Sequence, residues 1–152
     1  MLHRSFNRGV HKLINTVQWP MYVININNKQ NCVCLNETNN ESNPACPKCL
    51  GTGHKIKIRK IQAVKQPFKS TARAMGSSNS LNTLVSTYYI DAKYAPIKIG
   101  DMIVHEKEIE VIKVVKLYRT DSSKDQFYVC PAVLHKYDND ILIENFNKII
   151  KK

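Results

Sequence analysis

Residues 2–17 place Leu2, Phe6, Val10, Leu13, Ile14 and Val17 three and four positions apart, with Arg4, Arg8 and Lys12 between them. That period is one apolar stripe on a helix with a basic flank. Gly9 weakens the helix by roughly 1 kcal/mol relative to Ala. Trp19-Pro20 ends it, because the residue before a proline avoids helical backbone. The period then changes. Residues 21–26 read as a strand, and residues 55–59 alternate strictly, Ile56 and Ile58 against Lys55, Lys57 and Arg59. The alternation slips phase at Lys60-Ile61, as a bulge or a strand end would make it do.

Further along, residues 84–90 form a strand, and Gly100-Asp101 turns the chain into another at 102–104. A tight hairpin at 105–108 leads to one long strand over 109–118, and 127–134 follows a polar turn at 121–125. Short strands joined by tight turns, without interposed helices, predict a mainly β fold: a small antiparallel barrel or sandwich. Asp138 caps a closing helix with Ile141, Leu142, Phe146, Ile149 and Ile150 on its apolar face. Residues 66–83 lack periodicity, carry Lys69 and Arg73 without an acid, and predict an extended surface loop. The chain thus divides into an N-terminal helix (1–19), a strand, inserted loop and basic strand (20–65), the extended loop (66–83), the barrel (84–137) and a C-terminal helix (138–152). At 152 residues, 20–152 suits a single folding unit.

The inserted loop changes the picture. Four of the five cysteines fall within residues 32–49, spaced Cys32-x-Cys34-x11-Cys46-x2-Cys49. A Cys-x2-Cys pair on a tight turn points both sulfurs at one ion, Pro47 stiffens the turn, and Gly51 and Gly53 let the chain fold back so that amides face the thiolates. Cys32-x-Cys34 is a tighter bite, and the spacer is long enough to bring the pairs together. This predicts a structural Zn2+ in a zinc-ribbon-like loop, with a Cys3His set including His54 as the variant. Four cysteines leave no open position for a metal-bound water, and the sequence carries no Walker pattern, nucleophile elbow or dinucleotide fingerprint. No enzymatic centre is expected.

The net charge of +11 is unevenly placed. Residues 1–75 carry 12 Lys+Arg and 2 Asp+Glu, whereas 76–152 carry 11 and 10. The basic half is the cysteine half, and a positive surface attracts polyanions or acidic protein surfaces. Part of the charge follows from a composition rich in Asn, Ile and Lys. Lys55, Lys57, Arg59, Lys69 and Arg73 are the candidate DNA- or partner-facing residues. No apolar run approaches the ~18 residues of a membrane span. The N-terminus lacks the apolar core of a secretory signal, so the expected setting is a reducing compartment, away from membranes.

The segment CPKCLGTGHKIKI looks like one unit of the zinc repeat of J-domain co-chaperones, but it is a single unit and the chain has no HPD signature. A second resemblance covers residues 30–135. A Cys-x-Cys pair, a polar spacer, CPxCxGTG, a basic strand and a barrel entered at Ile99-Gly100-Asp101-Met102-Ile103 are similar to neck proteins of tailed bacteriophages, the head-closure or head–tail connector proteins. That resemblance implies a virion structural protein, assembled in the host cytoplasm. Its barrels pack side by side into a homo-oligomeric ring of about six or twelve copies. Such a ring sits beneath the portal, extends the DNA channel and joins head to tail, with portal and tail proteins as partners. The competing expectation is a small basic zinc-ribbon protein that binds nucleic acid.

Overall fold

The computed structural model describes residues 2–36, 38–68, 85–119, 126–135 and 137–151. Helix α1 (Leu2–Thr16) precedes two long strands, β1 (Trp19–Asn31) and β2 (His54–Phe68), which flank the cysteine loop. Then come β3 (Val85–Asp91), a 3-10 turn (Ala92–Tyr94), β4 (Met102–His105), β5 (Glu108–Ile112), β6 (Lys116–Arg119), β7 (Gln126–Leu134) and helix α2 (Asn139–Ile150). The sheet runs β3-β2-β1-β4-β5-β7-β6, and β3 also pairs with β7. That last pairing closes six strands into an antiparallel barrel, with β6 as an extra strand on β7. Closure removes the open edges a sheet of this size would otherwise expose. The barrel is wider in sequence than 84–137, because β1 and β2 are two of its staves.

Two apolar layers share one sheet. Met21, Val23, Ile61, Tyr88, Ile103 and Ile112 fill the barrel interior. On the outer face, Ile24, Met102, Val104 and Ile109 pack under Leu142 and Phe146 of α2. Alternate residues of β1 and β4 therefore serve different cores, which is why these strands are nearly continuous apolar runs.

The same arrangement explains the phase slip at Lys60-Ile61, which is not a bulge. The β1–β2 register runs unbroken from Trp19↔Ala63 to Asn27↔Lys55, and the irregularity lies between Asn27 and Asn31. Only the cover changes: Ile56 and Ile58 face the outer core, and from Ile61 onward the opposite face enters the barrel.

The long strand expected over 109–118 is two strands, broken at 113–115. The break lies opposite Pro131, whose carbonyl accepts the amide of Lys113 (2.9 Å). Amide and carbonyl of one strand residue point to the same side, so the N–H that proline lacks would have faced this edge. The ladder fails there and resumes as β6.

Of the expected loop 66–83, residues 66–68 belong to β2, and Lys69 and Arg73 lie outside the described residues, as does the turn at 121–125. The hairpin at 105–108 is present, with Glu106 at φ 56°. On α2, Leu142 and Phe146 face the core, whereas Ile141 and Ile150 are exposed. Among the described residues no helix is long and apolar enough to cross a membrane.

Candidate metal centre and the basic strand

The ligand loop hangs from the ends of β1 and β2. Its base is closed by the Cys32 amide donating to the Gly53 carbonyl (2.9 Å). Above that, the Leu50 amide reaches the Cys46 carbonyl (3.0 Å), and the Thr52 hydroxyl donates to the Cys49 carbonyl (2.9 Å). The polar spacer is held by asparagine turns: Asn36 and Asn43 accept from the amides two residues ahead. Gly51 sits at φ 84°, and a Cβ there would lie 2.8 Å from the Pro44 carbonyl oxygen. Only glycine fits.

The four sulfurs of Cys32, Cys34, Cys46 and Cys49 lie within 4.8 Å of one another. Cys32 Sγ is 3.8 Å from Cys46 Sγ, and Cys34 Sγ is 3.5 Å from Cys49 Sγ. Those separations are far from the ~2.05 Å of a disulfide. They match the ~3.8 Å edge of a tetrahedron whose centre is ~2.3 Å from each sulfur. All are free thiols, so the set can hold a metal ion. His54 does not join this group.

Backbone amides prepare the sulfurs for negative charge. Burial pushes the Cys46 thiol up, but the amides of Lys48 and Cys49, together with hydrogen bonds from the Cys34 and Cys49 thiols, outweigh it and lower the thiol to about 7. Burial pushes Cys49 up to about 12 despite the Gly53 amide 3.3 Å from its sulfur. Burial likewise raises Cys34, against the amide of Asn43. The Cys46 thiolate is easily formed, whereas burial holds Cys34 and Cys49 back. A divalent cation at the centre is what lets all four ionise together.

The loop is also tied to the barrel. Leu50, fully buried at φ 53°, inserts into the outer core beside Ile24, Met102 and Phe146. A non-glycine residue in that left-handed region carries strain, and the buried side chain is what holds it there. Asn145 of α2 donates to the Ala45 carbonyl (3.1 Å).

The basic strand divides. Lys55 and Lys57 are exposed. Arg59 is half-buried: its Nε donates to Asn25 Oδ1 (2.8 Å), and its guanidinium reaches the carbonyls of Tyr94 (2.8 Å) and Pro96 (2.9 Å). Next to it, buried Asp101 accepts from Asn25 Nδ2 (2.8 Å) and from the amides of Ile26 (3.1 Å) and Lys98 (2.9 Å). The Gly-Asp turn and Arg59 together cap one end of the barrel.

At the other end lies a polar group that the sequence did not single out. Glu110, buried inside the barrel, accepts from Ser86 Oγ (2.8 Å) and Tyr88 OH, and Lys65 Nζ stands 3.4 Å away. Burial and the Glu110 charge push the Tyr88 hydroxyl far up, so it stays a donor. The available signal was a lone acid in Ile109-Glu110-Val111-Ile112, which alternation assigns to a solvent face. The chain matches no protein-family model and no curated protein sequence.

Proposed function

We propose that the protein is a structural subunit that works by assembly, with Zn2+ held by Cys32, Cys34, Cys46 and Cys49 as the fastening of its loop. The observation that carries this reading is the apolar stripe of α1. The helix is fixed to the barrel by Asn7 Nδ2 on the Arg119 carbonyl (3.0 Å), by His11 against Asp91 (3.1 Å) and by buried Ile14. That docking leaves Phe6 72% and Leu13 57% exposed, and Val17 is exposed as well. Ile14 and half-buried Val10 turn one flank of the stripe to the barrel, and the other flank, Phe6, Leu13 and Val17, is left uncovered, a surface awaiting a partner.

The assembly proposed is the neck ring of a tailed bacteriophage virion, between portal and tail, around the DNA channel. The resemblance in residues 30–135 supports it, and so does a small closed barrel, a shape that packs side by side. Nucleic-acid binding by the zinc loop itself is the weaker reading. Arg59 is engaged internally, and Tyr88, one of the strand aromatics, is buried.

The test is electron microscopy and sedimentation of the zinc-loaded chain, alone and with portal protein, together with mass spectrometry of purified virions. Closed rings, lost in Phe6→Glu/Leu13→Glu, are expected. A chain absent from virions that stays monomeric beside portal protein would overturn the reading. So would a monomer that binds oligonucleotides with steep salt dependence.

A further inference from the structure

A groove runs from the metal loop to the end of α2. Its two parts share Lys48 and Ile56. One part, of about 340 Å³, is walled by Asn31, Val33, His54 and Lys55. The other, of about 420 Å³, is floored by Ile58, Ile149 and Ile150. Ile56, Ile58 and Ile149 give one side to the outer core and the other to the groove.

The rim is cationic. Lys48 and Lys55 are exposed, and Lys60 stands on the same face of β2 as Ile56 and Ile58. Among the described residues no carboxylate lines either part. An aliphatic floor under ammonium groups is complementary to a chain that is apolar on one side and acidic on the other.

We infer that this groove docks an acidic, amphipathic segment of a partner polypeptide. Its apolar side chains lie on the isoleucines and its carboxylates meet Lys48 and Lys55. A nucleic-acid strand fits less well: His54 is the one ring lining the groove among the described residues, and bases bind such surfaces by stacking on aromatic rings. Helix α1 of a second copy is also a poor occupant, since its sequence has Arg4, Arg8 and Lys12 and no acid. The inference holds whether or not the chain closes into a ring.

The test is an NMR titration of the 15N-labelled, metal-loaded full chain. The probe is a short synthetic peptide with leucines on one face and glutamates on the other. A control peptide carries serine for leucine, and an oligo-dT is run in parallel. Shifts at Lys48, Lys55, Ile56, Ile58 and Ile150 are expected with the first peptide. Affinity should fall by about tenfold in Lys48→Glu/Lys55→Glu and severalfold in Ile150→Ser. Because Lys48 adjoins Cys49, metal content is measured in each variant. If the double variant loses metal, Lys55→Glu/Ile150→Ser takes its place. Absence of these shifts, equal binding of the serine control, or displacement of the peptide by oligo-dT overturns the inference. Ring formation, read separately by sedimentation, is untouched by any of these results.

Discussion

The side-chain amide of Asn145, in the middle of α2, donates to the carbonyl of Ala45, the residue before Cys46 (3.1 Å). The two are a hundred residues apart in sequence, and Asn145 is buried. The C-terminal helix therefore holds the metal turn by a polar contact as well as through Leu50. Asn145→Ala should lower unfolding free energy by about 1–2 kcal/mol, since it leaves a shielded carbonyl without its donor. It should also weaken metal binding, by an amount read from competition with a chromophoric chelator. Unchanged metal affinity would show that the turn is positioned by Leu50 alone.

Cys46→Ser removes one ligand, and its consequences should follow the packing. The ligand loop loses its metal, the strained backbone at Leu50, next to Cys49, is free to relax and draw its side chain from the outer core, and that core loosens under α2, where Phe146 meets Tyr22 edge-on at 5.3 Å. The barrel interior, closed by β3 on β7, is built from other side chains. Hydrogen exchange should therefore show lost protection in 32–53 and 139–150, with β3 and β7 retained. Removing the metal from the native chain with a chelator should give the same map. Loss of protection across the whole barrel would mean a single cooperative unit.

Much of this was written in local patterns, and the failures share a cause. Cysteine spacing and the glycines after it foretold the cluster, because a chelating turn is built from neighbouring residues. The helices and most strands followed from period. Proline at 131 was visible, but its effect falls on the strand opposite, and period within 109–118 carries no trace of it. Arg59 and Lys57 look alike in an alternating strand, and only the turn at 94–96, brought alongside by folding, takes up the guanidinium. The stripe on α1 was legible as apolar. Which part of it would be covered depends on Asn7, His11 and Ile14 finding their places on the barrel.

His135 links stability to pH. Its Nδ1 accepts the Tyr137 amide (3.1 Å), which requires the neutral ring. Burial lowers its pKa, and the charge of Lys113 lowers it further. A depressed folded-state value contributes stability that is present above the unfolded value of about 6.5 and is lost as pH falls through the folded one. Urea midpoints should therefore drop as pH falls from about 6.5 through the lower folded-state value. His135→Asn keeps an acceptor for the Tyr137 amide and removes the titration, so it should flatten this part of the curve. A slope identical in wild type and variant would assign the acid sensitivity to other groups.

The Glu110 cluster makes a prediction about sign as well as size. Glu110 accepts from Ser86 and Tyr88 and faces Lys65, which also lies 3.4 Å from exposed Glu108. Glu110→Ala strands the hydroxyls of Ser86 and Tyr88 and leaves the largely buried Lys65 ammonium with a solvent-screened partner. That loss should cost about 3–5 kcal/mol. Glu110→Gln keeps an acceptor and should cost less, about 1–3 kcal/mol. Replacing the group together, as Glu110→Leu/Lys65→Met/Tyr88→Phe, removes every charge that needed a partner and leaves only the Ser86 hydroxyl to find one. The triple variant should thus be more stable than Glu110→Ala by urea unfolding, although three polar groups are gone rather than one. A triple variant less stable than Glu110→Ala would mean that the charged cluster holds β3 and β5 in place across the barrel, and that apolar contacts cannot replace it.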